Sequence, residues 1–218
     1  MKEKTKKTIN KKSVIFDILA IICIILFCIA ISPVTMQNDT YYTVKIGETI
    51  VQNGIDGMDH FSWHENLNYE YPHWLYDVMM YFIYNMGGWT GIYISTLVFT
   101  CLLGITLYIT SKKMCKNQIV PFVLTIASIF LIKSYIAARA QLVTFILFVL
   151  EVFFIEKFIK NRKIGYAVGL LSISLLIANL HVAVWPFFFV LFLPYIAEYL
   201  VCAIVDLDFI CLLYTSPS

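Results

Sequence analysis

Apolar runs long enough to cross a bilayer, which takes about 20 residues, recur along nearly the whole chain. Val14 to Val34, Thr90 to Thr110, Ile119 to Ser134, Gln141 to Ile159, Ile164 to Leu180 and Phe187 to Ile204 each read as one, the third somewhat short. In hydrocarbon a backbone amide finds no water, so each run must satisfy its own hydrogen bonds as a helix. A transmembrane β-barrel would show short alternating segments instead. The chain is 60% hydrophobic with a mean hydropathy of +0.79, against about 45–50% for a soluble domain. The expected fold class is all-α, a polytopic transmembrane helical bundle.

Charge orders these runs. Thirteen of the 16 basic residues lie in "MKEKTKKTINKK", "SKKMCK" and "EKFIKNRK". The positive-inside rule puts all three segments in the cytoplasm. The run Val14 to Val34 is too long for the apolar part of a signal peptide, and no small-x-small cleavage site follows it, so it reads as a retained signal anchor. The expected organisation is a basic cytoplasmic N-terminus over 1–13, a transmembrane domain over 14–204 with an extracytoplasmic loop over 35–89, and an atypical end over 205–218. The terminal "LLYTSPS" resembles a translated sequencing adapter, so truncation or artefact is expected there. None of the six cysteines falls in the loop, no disulfide framework is readable, and small apolar fillers are the expected role.

Parity keeps the loop on one side, because the first span exits and the span ending at Lys112 must enter. Within it, "HWLYDVMMYFIYNMGG" is helical in pattern but too short to span. Trp74, Leu75, Val78, Met79, Phe82 and Ile83 share one face, and Tyr76, Asp77, Tyr84 and Asn85 the other. That predicts an interfacial helix on the outer leaflet, ended by Gly87 and Gly88. A second surface helix is expected from near Asp39, capped by Asn38 or Asp39, until "NGIDG" breaks it.

Chemistry gathers in this loop and at the outer helix ends. From Gln37 to Asp77 there are seven carboxylates, three histidines and one lysine. Asp39 stands just beyond the first span, where a carboxylate can take a proton, help hold a divalent cation or cap a helix. His60, His64 and His73, with Asp56, Asp59, Glu65 and Glu70, read as a metal-capable cluster or as a solvated loop. "HENLN" fails as a zinc-protease motif, since Asn68 stands where the second histidine would be. Lys133 and Arg139 are outer cations that run against the charge bias, placed to grip a phosphate or to snorkel to headgroups. Asn179 and His181 end another span, as functional groups or as interhelical hydrogen bonds.

"NDTYYTVKIGE" and "YEYPHWLYD" follow the first span in that order. Together with "ARAQLVTFILF" and "ANLH", they resemble the GT-C glycosyltransferases. The likeness is nearest to the protein-mannosyltransferase and lipid A aminoarabinose-transferase branch (glycosyltransferase family 39-like), whose loop reads roughly "D-E-x-Y-Y … E-x-P-P-L-x-Y-W-L". The resemblance spans most of residues 14–200. It implies a GT-C-like bundle that transfers a sugar from a polyprenyl-phosphate donor to an extracytoplasmic glycan, lipid or protein. It implies catalytic roles for Asp39 and Glu70 and donor-phosphate roles for Lys133 and Arg139. Supporting or substrate-binding roles fall to Tyr41, Tyr42, Asp59, His60, His73 and His181. Any metal is unassigned, with a divalent cation as one option for a cofactor. The other expected partners are membrane lipids, with no nucleic acid. The expected location is a bacterial plasma membrane, multi-pass, N-terminus in the cytoplasm. Three departures stand out: Thr40 replaces an acidic residue, His73 replaces the second proline, and the later family aspartate expected near Arg139 is absent. A transporter or a non-catalytic envelope protein is the alternative.

Overall fold

The computed structural model describes residues 11–64, 67–115 and 117–205. Most of the first basic segment, Glu65, Lys116 and the atypical end from 206 onward lie outside the described residues. Among the described residues the chain is all-helical. Eight α-helices run in the order α1 (Lys11–Ile31), α2 (Asn38–Asn53), α3 (Trp74–Met114), α4 (Ile119–Leu131), α5 (Ala140–Asn161), α6 (Ile164–Leu180), α7 (Pro186–Val190) and α8 (Leu193–Val205). Single 3-10 turns at Lys133–Tyr135 and Val182–Val184 join α4 to α5 and α6 to α7. The only pairing of extended backbone among these residues is an isolated bridge between Met58 and Asn68.

Among the described residues, three helical stretches are long and apolar enough to cross a membrane: Lys11–Ile31, Trp74–Met114 and Val182–Ala203. Ile119–Leu131 and Ile164–Leu180 are shorter apolar helices. The first helix ends before the expected Val34, near Pro33. The last expected run, Phe187 to Ile204, is broken between α7 and α8. Pro194 explains that break, since it has no N–H to give the carbonyl four residues back.

Helix α3 has 41 residues, about 60 Å at 1.5 Å per residue, twice the thickness of a hydrocarbon core. It does not run straight. Gly88 has φ 58° and ψ −150°, which divides it into an arm over 74–87 and an arm over 89–114. The expected stop at Gly87 and Gly88 is thus a joint between two helical arms.

Two cores hold the bundle. In the first, Ala20, Ile24 and Cys28 of α1 recur every four residues and pack with Tyr108 of α3, Ile129 of α4 and Ile136. The rest of α1, including Ile15, Leu19, Ile22 and Leu26, is exposed, as a lipid-facing surface would be. At its basic end, Tyr108 donates to Asp17 Oδ1 at 2.7 Å, Lys112 pairs with Asp17, and Gln118 donates to Ser13. The second core joins Val44 of α2, Tyr76, Met80 and Ile92 of α3, Leu147 and Ile155 of α5, and Ile173 and Ile177 of α6.

The arm over 74–87 corrects the expectation from its pattern. Tyr76 and Asp77, on the face read as the polar outer side, are buried, and Asp77 has no solvent exposure. That face packs on α2, whose own buried stripe is Thr40, Thr43, Val44, Gly47 and Ile50. Small side chains allow the approach. A Cβ at Gly47 would collide with the Asp77 carbonyl and stand 2.8 Å from Tyr81 Cβ. Overpacking of this kind costs about 1–3 kcal/mol. Gly47→Ala is therefore expected to lower the thermal unfolding midpoint of the detergent-solubilised protein. Gly165→Ala, where a Cβ would meet nothing within 4 Å, is expected to leave it unchanged or raise it.

Candidate functional site

The ends of four segments meet at the pole of the bundle opposite Asp17 and Lys112. The Val182 N–H donates to the Pro72 carbonyl at 2.9 Å, tying the end of the first loop to the α6–α7 turn. Trp74 Nε1 donates to Asn179 Oδ1 at 3.1 Å, so Asn179 acts as an interhelical tie. Thr40 donates to the Ala138 carbonyl at 3.4 Å, tying α2 to the segment before α5. Between these ties lies a polar cleft of about 160 Å³, lined by Asp39, Thr43, His73, Tyr76, Arg139, Ala140, Gln141 and His181.

Asp39 and Arg139 form an ion pair across the cleft mouth. The Asp39 side chain is 64% exposed and Arg139 39% exposed. Arg139 holds the residue before α5, with extended backbone, and its Nε is enclosed without a hydrogen-bond partner. Asp39 is not the cap of α2. Gln37 occupies that position without a side-chain cap, and Asp39 sits in the first turn, where a negative charge suits the helix dipole.

Deeper in the cleft stand two imidazoles with different partners. His73 Nδ1 lies 2.7 Å from both carboxylate oxygens of Asp77, one turn along α3. Thr43 adds a hydrogen bond to the same buried carboxylate. His181 Nδ1 lies 3.3 Å from Thr144 Oγ1. The single hydroxyl hydrogen of Thr144 goes to the Ala140 carbonyl at 2.9 Å, so Thr144 accepts from His181 Nδ1–H. That leaves Nε2 of His181 as an acceptor. Burial, and then the neighbouring charge of His73, hold the His181 pKa below its ordinary value of 6.5. The two rings face edge to face-plane with centroids 6.5 Å apart.

Of the residues singled out from sequence, Asp39, Arg139, His73 and His181 come together here. The others lie elsewhere. Glu70 is exposed on the loop and does not line the cleft. Lys133 is exposed, with its ammonium over the Phe130 ring at 4.6 Å, so it and Arg139 do not form one clamp. Tyr41 stacks on Trp89 at 4.5 Å, and Tyr42 meets Phe61 at 5.2 Å and Tyr69 at 6.3 Å. Asp59 accepts the N–H groups of Phe61 and Ser62, and His60 binds Asp56 at 2.7 Å. These contacts order the loop. Among the described residues no three His, Cys, Asp or Glu side chains are grouped as a metal site.

Asp77, Thr43, Gln141 and Thr144 were not anticipated. The spacing of His73 and Asp77, four apart at the start of a helical pattern, is the signal that was there to read. No family model matches the chain, and comparisons with curated proteins and with solved structures return no significant match.

A histidine held below its unfolded pKa binds fewer protons folded than unfolded, so stability rises with pH in that window. His181 thus leaves stability intact above about pH 6.5 and subtracts from it as the pH falls below that value. Wild-type protein is expected to lose more of its unfolding midpoint between pH 7 and 5 than His181→Asn does, measured in one detergent and buffer series.

Proposed function

We propose that this chain is a GT-C-type membrane glycosyltransferase that moves a sugar from a polyprenyl-phosphate donor to an extracytoplasmic acceptor. The observation that carries the reading is the partly exposed Arg139 guanidinium, paired with Asp39 in a polar cleft at the pole away from Asp17 and Lys112. A lipid-linked phosphate presents its charge at this level, and arginine meets phosphate through paired hydrogen bonds. Arg139 would take the phosphate as negative charge grows on the leaving oxygen. Asp39 is the counter-ion that keeps the guanidinium at the cleft when no donor is there. With the first basic segment in the cytoplasm, the loop over 35–89 and the cleft face outward, in a multi-pass protein of a bacterial plasma membrane. The resemblance in "NDTYY" and "YPHWL" supports the same reading.

One observation favours the transporter alternative. Glu151, inside α5, has no solvent exposure and neither carboxylate oxygen has a partner. Ionisable groups at such a depth often mark proton or ion pathways. Carbodiimide labelling of Glu151 coupled to substrate uptake, with no sugar transfer, would support that reading.

The deciding experiment supplies membranes with a panel of tritiated polyprenyl phosphohexoses and phosphopentoses and an envelope acceptor extract. Transfer by wild type is the expected result, with Asp39→Asn at equal expression lowering it by loosening the Arg139 guanidinium from the cleft. Hydrogen bonds to a charged group are worth about 1.5–3 kcal/mol, so Arg139→Ala should weaken donor photolabelling by roughly tenfold or more. Lys133→Ala should leave photolabelling unchanged. A tag in the 54–64 loop that reacts only from the cytoplasmic side would overturn the orientation and the enzyme reading together.

A further inference from the structure

We propose that His73, held by Asp77, is the base that takes the proton from the acceptor hydroxyl. This rests on the glycosyl-transfer reading and adds to it the group that activates the nucleophile. Asp39, the one acidic side chain among the described residues that line the cleft, is already paired with Arg139. Glu70 does not line it. His73 does, and its side chain is 25% exposed while Asp77 beneath it is wholly enclosed.

The geometry gives the imidazole one orientation and one tautomer. Both Asp77 oxygens are 2.7 Å from Nδ1, so Nδ1 carries the hydrogen and donates it. Nε2 is the nitrogen left to meet a ligand, and in the neutral ring it carries the lone pair that takes a proton. The packing that enforces this is specific. Asp77 belongs to the first turn of α3, its backbone carbonyl lies against Gly47 of α2, and its carboxylate is wholly enclosed. Thr43 holds it from the α2 side. An enclosed carboxylate that orients an imidazole also stabilises the imidazolium formed when that ring takes a proton.

The step balances without another reagent. The acceptor O–H gives its proton to His73 Nε2, and the oxygen's electron pair forms the new bond to the anomeric carbon. The bond from that carbon to the donor phosphate oxygen breaks, and its electrons stay on the phosphate, where Arg139 meets the charge. The products are a glycoside and a polyprenyl phosphate. The proton on His73 then leaves to the departing phosphate or to water. His181, with its own Nδ1–H tied to Thr144, stands opposite His73 as a neutral acceptor for a hydroxyl of the incoming substrate.

The test is steady-state transfer in the same membranes, with kcat and KM resolved for donor and acceptor. General bases contribute about 10²–10⁴-fold. His73→Ala should lower kcat by about a hundredfold or more, leave donor KM and donor photolabelling near wild type, and recover part of kcat on addition of imidazole. Asp77→Asn should lower kcat in the same direction with donor KM unchanged. Because Asp77 is buried and its variant risks misfolding, the imidazole rescue of His73→Ala decides alone if that variant fails to fold. Wild-type transfer with a His73→Ala variant that keeps its kcat, or that imidazole does not rescue, overturns the dyad and leaves the transfer reading standing. No transfer by wild type with any donor in the panel overturns the transfer reading and the dyad with it.

Discussion

Helix α2 touches the backbone of α3 at Gly47, and the cleft follows from that approach. A side chain at Gly47 would occupy the space of the Asp77 carbonyl, so the missing Cβ lets two helices meet at main-chain distance. Three things depend on it. The buried stripe of α2 is pressed onto the face of α3 that carries Tyr76 and Asp77. Asp77 loses all contact with water, which makes a hydrogen-bonded partner obligatory, and His73 supplies it. The start of α2 is carried to the segment before α5, where Asp39 meets Arg139 and Thr40 reaches Ala138.

The poles of the bundle show how a chain of this composition allocates its polar groups. Within the apolar helices, threonine hydroxyls return their hydrogens to their own helix, as Thr100 does to Thr96 and Thr125 to Pro121. Such bonds satisfy the side chain without linking one helix to another. Links between distant segments are left to the ends. At one pole Asp17 gathers Tyr108 and Lys112. At the other, several main-chain and side-chain ties surround a polar cleft lined by Arg139, Gln141 and two histidines. The first pole is closed by an ion pair, and the second opens into a polar cleft.

Much of this was legible in the order of residues, for physical reasons that differ by element. Long apolar runs and grouped lysines locate helices and their basic ends. "NGIDG" and the glycine pair at Gly87 and Gly88 mark breaks, because a positive φ is open to glycine at little cost. Asp39, His73, Arg139 and His181 were recognisable as polar residues at the same pole. What periodicity could not show was the side of the α3 arm that faces protein. Its pattern assigns Tyr76 and Asp77 to the water side, but α2 covers both and His73 pairs the buried carboxylate, while Asn85 on the same face stays exposed. Nor could it show that Lys133 rests on Phe130 while Arg139, six residues later, turns into the cleft. The 3-10 turn between them sets that difference, and it rests on backbone angles that composition does not encode.

Gly88 shows a last property of the fold. The site that a Cβ would occupy there is open, with nothing within 4 Å, so crowding is not what requires glycine. The requirement is handedness. With both signs reversed, φ 58° and ψ −150° fall in the polyproline II basin that ordinary residues favour. The joint between the two arms of α3 is thus the mirror image of an unstrained conformation, available to an achiral residue. D-alanine, introduced by chemical synthesis or ligation, would sit there at rest where L-alanine would be strained. In a chain of right-handed helices, the geometry that brings the first loop over the cleft passes through a single residue that has no hand of its own.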